Sequence, residues 1–154
     1  MSGETRTDRL ERLLGIEGVA RLAESRFMVI GIGGVGSNCV EALARGGIGS
    51  FVIVDADCVQ ESNINRQAIA FTSTIGKPKV EVMRDMIADI NPQAHVETLE
   101  RRILPDDVGG LFEECSVDYC IDAQDTVTTK LAIAAYCDEH DMALLSSMGA
   151  ANTF

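Results

Sequence analysis

The segment from Phe27 to Ser37 constrains the fold more than any other part of the chain. It begins with an apolar run, Phe27–Ile30, of the kind that forms a buried parallel strand. Four glycines follow, Gly31, Gly33, Gly34 and Gly36, and a helical pattern covers residues 38–45. A strand, a glycine turn and a helix start hold a nucleotide phosphate in many proteins, because the bare backbone N–H groups and the helix N-terminus favour an anion. We therefore predict that these glycines bind a nucleotide. The alternative is a tight turn that binds no ligand.

Length and composition limit the class of protein. The chain has 154 residues, which is one domain, and no apolar run long enough to span a bilayer. Five scattered cysteines, with no Cys-x-x-Cys pair, disfavour a disulfide framework and a zinc knuckle. We expect a cytoplasmic protein with no membrane partner. The formal net charge of −11 argues against a broad nucleic-acid surface, so a local cluster of cations is more informative here.

The remaining pattern alternates strands and helices. After the first strand, further strands are expected at residues 50–54, 94–99, 117–121 and 143–146, and further helices at 78–90, 105–114 and 127–137. A helix over 9–23, interrupted at Gly15 and Gly18, precedes them. This order predicts an α/β fold: a Rossmann-like, doubly wound, mainly parallel sheet with helices on both faces. We expect one domain over 1–154, divided into an N-terminal helical segment (1–24) and the Rossmann-like core (25–154).

Acidic residues follow two of the predicted strands. Asp55 and Asp57 come about twenty residues after the glycines, where such folds place the acid that binds a ribose hydroxyl. Asp122 and Asp125 follow the fourth strand, so they should lie on the same edge of the sheet. Asp125 would suit a magnesium ion bound together with phosphates. Solubility is the alternative for acids at strand ends, and a helix cap is the alternative for Asp125.

Two cations complete the predicted site. Lys79 is one of only three lysines and falls in the first turn of the helix that starts near Pro78. The helix dipole disfavours a cation there, which indicates an anion nearby. The alternative, an exposed lysine near a helix cap, fits Lys77 better than Lys79. Arg66 lies in the aperiodic stretch 57–76. A glycine turn, a ribose acid, two cations and a magnesium-binding carboxylate together suit ATP. Because no Gly-x-x-x-x-Gly-Lys-Ser/Thr loop is present, attack on the α-phosphate fits better than transfer of the terminal phosphate.

The motifs taken together resemble the ThiF/MoeB/HesA superfamily of adenylating enzymes, which are related to the ubiquitin-activating enzymes. They are Gly31-Ile-Gly-Gly-Val-Gly-Ser37, Asp55-Ala-Asp57, Asn63-Ile-Asn-Arg-Gln67, Gly76-Lys-Pro-Lys79 and Asp122-Ala-Gln-Asp125. Within the superfamily, several stretches are similar to the tRNA threonylcarbamoyladenosine dehydratases: Arg12–Gly15, Glu41–Arg45, Asn65–Gln67, Asp122–Asp125 and Ser147–Ala150.

The resemblance implies a role for each matching residue. The glycine turn, chiefly Gly33 and Gly34, would cradle ATP, and Asp55, with Asp57 nearby, would bind its ribose. The phosphates would be held by Asn63, Arg66 and Lys79, and Asp125 would ligate Mg²⁺. The catalytic set would be Arg66, Lys79, Asp125 and Arg9, the last reaching the ATP of the partner subunit in a homodimer. Arg12 is the neighbouring candidate for that role.

The implied reaction is ATP-dependent activation of the threonylcarbamoyl carboxylate on adenosine 37 of tRNA, followed by ring closure and loss of AMP. Besides tRNA, a sulfur-transfer or cysteine desulfurase partner is implied. Three alternatives stay open: an adenylyltransferase for the C-terminal glycine of a ubiquitin-like sulfur carrier, a nucleotide-binding module without catalysis, and an NAD-dependent dehydrogenase. Since relatives continue for roughly another hundred residues, about a small domain, we expect the chain to be the N-terminal, nucleotide-binding part of a longer protein.

Overall fold

The computed structural model describes residues 5–147 and contains a five-stranded, all-parallel sheet. The strand order is β3-β2-β1-β4-β5. Strands β1 to β5 comprise Arg26–Ile30, Ser50–Val54, His95–Leu99, Tyr119–Asp122 and Ala143–Ser146; helices α1 to α5 comprise Asp8–Glu24, Gly34–Arg45, Lys79–Ile90, Val108–Glu114 and Val127–Glu139. The predicted doubly wound α/β fold is confirmed. The Met148–Ala150 part of the dehydratase-like stretch lies outside the described residues.

The two faces of the sheet are covered by different helices. On one face Val29 of β1 belongs to a buried cluster with Val40 of α2 and Met83 of α3. On the other face Met28 and Ile30 pack in a cluster that includes residues of α4 and α5. Alternate residues of one strand thus enter opposite cores, which explains why the buried strands are apolar at nearly every position.

Several predicted boundaries were wrong in instructive ways. Helix α2 begins at Gly34 rather than at Asn38, so Gly34 and Gly36 are helical and the turn itself is only three residues long. The predicted helix over 105–114 divides into a 3₁₀ turn, Pro105–Asp107, and α4. Strand β4 begins at Tyr119 rather than at Val117 and continues through Asp122, whose partner in β1 is Ile30. The stretch 57–76, for which no regular element was predicted, forms two further 3₁₀ turns.

Helix α1 lies apart from the main core. It is broken at Gly15, whose φ of 75° and ψ of 166° are not helical, as predicted, whereas the interruption predicted at Gly18 is not found. None of its residues is fully buried, and Leu22 near its end packs against the core from the side of α2. No helix within residues 5–147 combines the length and the apolar character needed to cross a membrane.

Candidate nucleotide-binding cleft

A cleft of about 900 Å³ opens at the carboxyl ends of the strands. It lies where the chain order of the sheet reverses, since β1 pairs with β2 on one side and with β4 on the other. Open α/β sheets bind ligands at this switch point, because the loops leaving the two strands diverge there. The fold itself therefore places this cleft where the glycine turn was predicted to act.

Most candidate residues meet in this cleft although they come from five separate segments. Its lining includes Gly31, Gly33, Gly34, Asp55, Asp57, Asn63, Arg66, Lys79 and Asp125. Two candidates do not line it, Gly36 and Arg9. Arg9 is exposed on α1, away from the cleft of its own chain.

The requirement for glycine at Gly36 is one of packing rather than of ligand contact. A Cβ placed on Gly36 would lie 1.8 Å from the carbonyl oxygen of Gly31, so any side chain would push helix α2 away from the end of β1. Gly31 itself has a φ of +92°, and a Cβ there would meet the backbone of Ala123 at 2.9 Å. Both glycines let the loops after β1 and β4 approach closely, which shapes the floor of the cleft.

Asp55 holds the glycine turn in place. Its Oδ2 accepts a hydrogen bond of 2.6 Å from the backbone N–H of Ile32, and its Oδ1 accepts one of 2.8 Å from the N–H of Asp57. Each carboxylate oxygen keeps a further acceptor site, so a ribose hydroxyl can still donate to it. The residue predicted to bind ribose thus also fixes the loop that faces the phosphates.

Lys79 has an internal partner that the sequence did not reveal. Its side chain is only 7% exposed, and its Nζ donates a hydrogen bond of 2.9 Å to Asp57 Oδ2. Asp55 Oδ1 lies 4.0 Å from the same nitrogen. The anion expected near this cation is therefore supplied by the chain itself, and Lys79 lines the cleft although its side chain is almost fully buried. Because the Asp57 side chain is 57% exposed, it can turn into water when another anion binds Lys79.

Arg66 is the more available of the two predicted cations. Its Nη1 donates to the carbonyl oxygen of Ser62 at 3.0 Å and to Oδ1 of Asn65 at 3.1 Å, both neutral acceptors. Its aliphatic stem lies over Gly34, with Cγ 3.4 Å from a Cβ placed there. The buried Asn63 accepts from the N–H of Gln60 and so caps the turn that carries Arg66. The guanidinium is thereby held beside the start of helix α2, where an anion is favoured.

Two polar residues that sequence reasoning missed join the glycine turn to the Arg66 segment. The buried Ser37 donates from Oγ to Gly33 O at 2.6 Å and accepts from the N–H of Ala68 at 3.0 Å. Asn38 Nδ2 donates to Gly34 O at 2.6 Å and to Arg66 O at 3.0 Å. Their position directly after the last glycine is the signal that could have identified them.

On the opposite wall, Asp125 is exposed, and no hydrogen bond or ion pair of its side chain is found in the described part of the chain. Its loop is anchored by a buried network beneath it. Lys130 Nζ lies 2.8 Å from Asp122 Oδ2 and 3.1 Å from Gln124 O, and Ser146 Oγ donates to Asp122 Oδ2 at 2.8 Å. Asp122, expected on the rim with Asp125, is fully buried instead.

The cleft contains two further cations, Arg101 and Arg102, which follow β3. Arg101 forms an ion pair with Glu114, whereas no side-chain partner of Arg102 is found among residues 5–147. With Arg66 and Lys79 they give four cations against three carboxylates in the lining, within a chain of net charge −11. The rule used for Asp55 and Asp125, that strand ends carry ligand contacts, would have found them.

Comparison with known proteins finds relatives that match most of the chain. The chain is 44% identical over 144 residues to the tRNA threonylcarbamoyladenosine dehydratase of Bacillus subtilis, covering 94% of this chain and 56% of that protein. It is 38% identical over 120 residues to the probable adenylyltransferase/sulfurtransferase MoeZ of Mycobacterium tuberculosis, covering 78% of this chain and 30% of that protein. The chain thus spans about half the length of the dehydratase and less than a third of the length of the sulfurtransferase.

A solved structure is similar over nearly the whole chain. The crystal structure of Escherichia coli tRNA N6-threonylcarbamoyladenosine dehydratase in complex with ATP matches with a TM-score of 0.91 and 38% identity, covering 97% of this chain and 61% of that one. The family model described as the ThiF family matches residues 7–153. The chain therefore belongs to the ThiF family.

Proposed function

We propose that this domain binds Mg-ATP in the cleft and adenylates a carboxylate. The observation that carries the proposal is the meeting of five separate segments around one cleft of nucleotide size, at the switch point of the sheet. A solved relative that is 38% identical was crystallised with ATP, which supports the same ligand. The alternative, an NAD-dependent dehydrogenase, would assign no function to Arg66, Lys79 and Asp125.

In our proposal, different residues bind different parts of the nucleotide. Asp55, beside Asp57, takes the ribose at the end of β2, and the glycine turn faces the α-phosphate. The outer phosphates are held by Asn63, Arg66 and Lys79. Asp57 releases Lys79 to the phosphates by turning into water, since most of its side chain is already exposed.

Asp125 fits the magnesium ion that such a reaction uses. Its carboxylate lines the cleft, is exposed, and has no competing cation recorded within residues 5–147. Mg²⁺ keeps several waters and is commonly held by one or two carboxylates together with substrate phosphates, so a single available aspartate opposite the cations suffices. The ion would neutralise charge on the phosphates, while the chain's own cations orient them.

The chemistry is a transfer of the adenylyl group. A carboxylate oxygen of the substrate attacks the α-phosphorus, the bond to the bridging oxygen breaks, and pyrophosphate leaves, which gives an acyl adenylate. The fixed positions of Arg66 and Lys79 favour this step because they stabilise negative charge as it develops on the leaving pyrophosphate.

For the acyl substrate we propose the threonylcarbamoyl carboxylate of tRNA, whose ring closure would then expel AMP. The identity of 44% to a tRNA threonylcarbamoyladenosine dehydratase supports this substrate. A ubiquitin-like sulfur carrier is the second candidate, supported by the 38% identity to MoeZ. We place the protein in the cytoplasm, as a homodimer in which exposed Arg9 reaches the partner's ATP.

An exchange assay tests the proposal. Radiolabelled pyrophosphate should enter ATP only when the carboxylate substrate is present, so the protein is assayed with tRNA that carries threonylcarbamoyladenosine, with the same tRNA lacking it, and with a ubiquitin-like carrier. We expect exchange with the modified tRNA alone. Exchange with the carrier alone would select the second candidate. If the protein binds Mg-ATP but exchanges with neither, the proposed reaction is wrong.

A further inference from the structure

Two buried amide atoms of the cleft have no hydrogen-bond partner within the described residues. Over residues 5–147 three buried side-chain polar atoms lack one: Arg26 Nε, Gln67 Oε1 and Gln124 Nε2. Arg26 lies at the start of β1, but Gln67 and Gln124 both line the cleft. Leaving a buried amide unpaired is costly, so each such group calls for an explanation, and in a cleft a ligand that completes the hydrogen bond is one.

The two amides lie on opposite sides of the glycine turn. Gln67 comes from the Arg66 segment, and its Nε2 lies 4.0 Å from a Cβ placed on Gly33. Gln124 comes from the loop after β4, and its backbone nitrogen lies 2.9 Å from a Cβ placed on Gly31. Gln124 therefore borders the switch point directly, beside the residues that face the α-phosphate in the proposed function.

The loop that carries Gln124 is unusually well fixed. Lys130 Nζ donates to its carbonyl oxygen at 3.1 Å, and its N–H lies 3.4 Å from Asp122 Oδ1. Its backbone is thus held at both ends by a buried ion pair, while its side-chain donor is left unpaired. Because Gln124 lines the cleft, its unpaired N–H₂ is available to an acceptor that enters the cleft.

We propose that Gln124 is a further binding residue, whose Nε2 donates a hydrogen bond to a non-bridging oxygen of the α-phosphate. The inference rests on the proposed function, because it requires a nucleotide whose ribose is near Asp55 and whose phosphates cross the glycine turn. With the ribose on the β2 side, the α-phosphate lies over the turn that borders Gln124. The bond would position the phosphorus atom that the carboxylate attacks.

The test compares nucleotides that differ in their phosphates. Gln124→Met keeps the length of the side chain and removes the donor, and Gln93→Met is the matched control, because Gln93 is exposed outside the cleft. Calorimetry of both variants and the unchanged protein uses Mg-ATP, AMP and adenosine. A hydrogen bond to a charged group predicts that Gln124→Met weakens the binding of ATP and AMP alike, by about 10- to 100-fold, and leaves adenosine unchanged.

Each other result overturns the inference in a different way. Loss with Mg-ATP but not with AMP would place Gln124 at the outer phosphates. Equal loss with adenosine would place it at the base or ribose, and no loss would mean that it does not bind the nucleotide. If the unchanged protein binds no nucleotide, the proposed function fails first. A purely structural role predicts a lower melting temperature, whereas removing an unpaired donor should leave the melting temperature the same or raise it.

Discussion

Two lysines are buried in this fold, and each pairs with an aspartate near the end of a strand. Lys79 Nζ lies 2.9 Å from Asp57 after β2, and Lys130 Nζ lies 2.8 Å from Asp122 in β4. The two lysine side chains are equally buried, at 7% exposed. Side-chain chemistry and distance therefore do not distinguish the pairs.

The aspartates and their surroundings do distinguish them. Asp122 is completely buried and also accepts a hydrogen bond from Ser146, so the pair is closed to the solvent. Asp57 is more than half exposed and lines the cleft, so its pair is open on one side. We interpret the closed pair as a support for the loop of Gln124 and Asp125, and the open pair as a cation held ready for an incoming anion.

The largest expected effect is the loss of stability when the closed pair is broken. Lys130→Met leaves the Asp122 carboxylate buried without a counter-charge, which should lower the free energy of unfolding by about 3–5 kcal/mol. Urea unfolding followed by circular dichroism measures it. The double variant Lys130→Met, Asp122→Asn removes both charges and should recover part of the loss. A single variant within about 1 kcal/mol of the unchanged protein would show that the Asp122 carboxylate does not depend on Lys130 for its stability in the fold.

Breaking the open pair, Lys79–Asp57, should weaken the binding of Mg-ATP more than it lowers the stability of the domain. Lys79→Met removes a charged donor from the proposed phosphate site, so we expect the affinity for Mg-ATP to fall by about 10- to 100-fold. The domain should remain folded, since Asp57 is left in water and Asp55 keeps its two backbone donors.

Lys77 provides the matched control for that experiment. It lies two residues away, is exposed, and does not line the cleft. Lys77→Met should leave the dissociation constant measured by calorimetry unchanged. Equal losses of affinity in both variants would indicate a general effect of charge. If Lys79→Met instead destabilised the domain without loss of affinity, the Lys79–Asp57 pair would have a structural role, as the Lys130–Asp122 pair does.

A smaller effect is expected at the loop that the closed pair supports. Asp125→Asn should weaken the binding of ATP in the presence of Mg²⁺ by about tenfold, equivalent to roughly 1.4 kcal/mol. Without Mg²⁺ the same change should leave binding equal or slightly tighter, because it removes a negative charge from beside the phosphates. Asp106→Asn, at an exposed residue outside the cleft, is the control. A loss that does not depend on Mg²⁺ would exclude the magnesium role.

Much of the difference between the two ion pairs could not be predicted from the sequence. The glycine turn, the doubly wound parallel sheet and the nearness of Asp55, Arg66 and Lys79 followed from local pattern and from the rule that parallel strands end at one edge. Whether Asp122 faces the core or the cleft depends on the pleat of β4, and a strand end shifted by one residue reverses that direction. The partner of Lys79 depends on how the irregular stretch 57–76 folds, and no periodicity specifies this.

The smallest expected effect is on the alkylation of two cysteines, each of which lies close in sequence to the aspartate of one of the two ion pairs. Cys58 follows Asp57, is exposed and lines the cleft, whereas Cys120 lies two residues before Asp122 and is buried. Burial raises the pKa of the Cys120 thiol, with further contributions from Cys137 and Asp122, so this thiol stays protonated and unreactive near neutral pH. Iodoacetamide at pH 8 should therefore label Cys58 in the folded protein and Cys120 only after unfolding.

Nucleotide should then change the labelling of one cysteine alone. Because Cys58 borders the proposed ribose and phosphate sites, saturating Mg-ATP should slow its alkylation several-fold, as measured by mass spectrometry of the tryptic peptides. Lys79→Met should lose this protection at the same ATP concentration, since its site is no longer saturated. Protection of Cys58 by adenosine alone would locate the ribose beside it, whereas rapid labelling of Cys120 in the folded state would show that the pair we describe as closed opens to solvent.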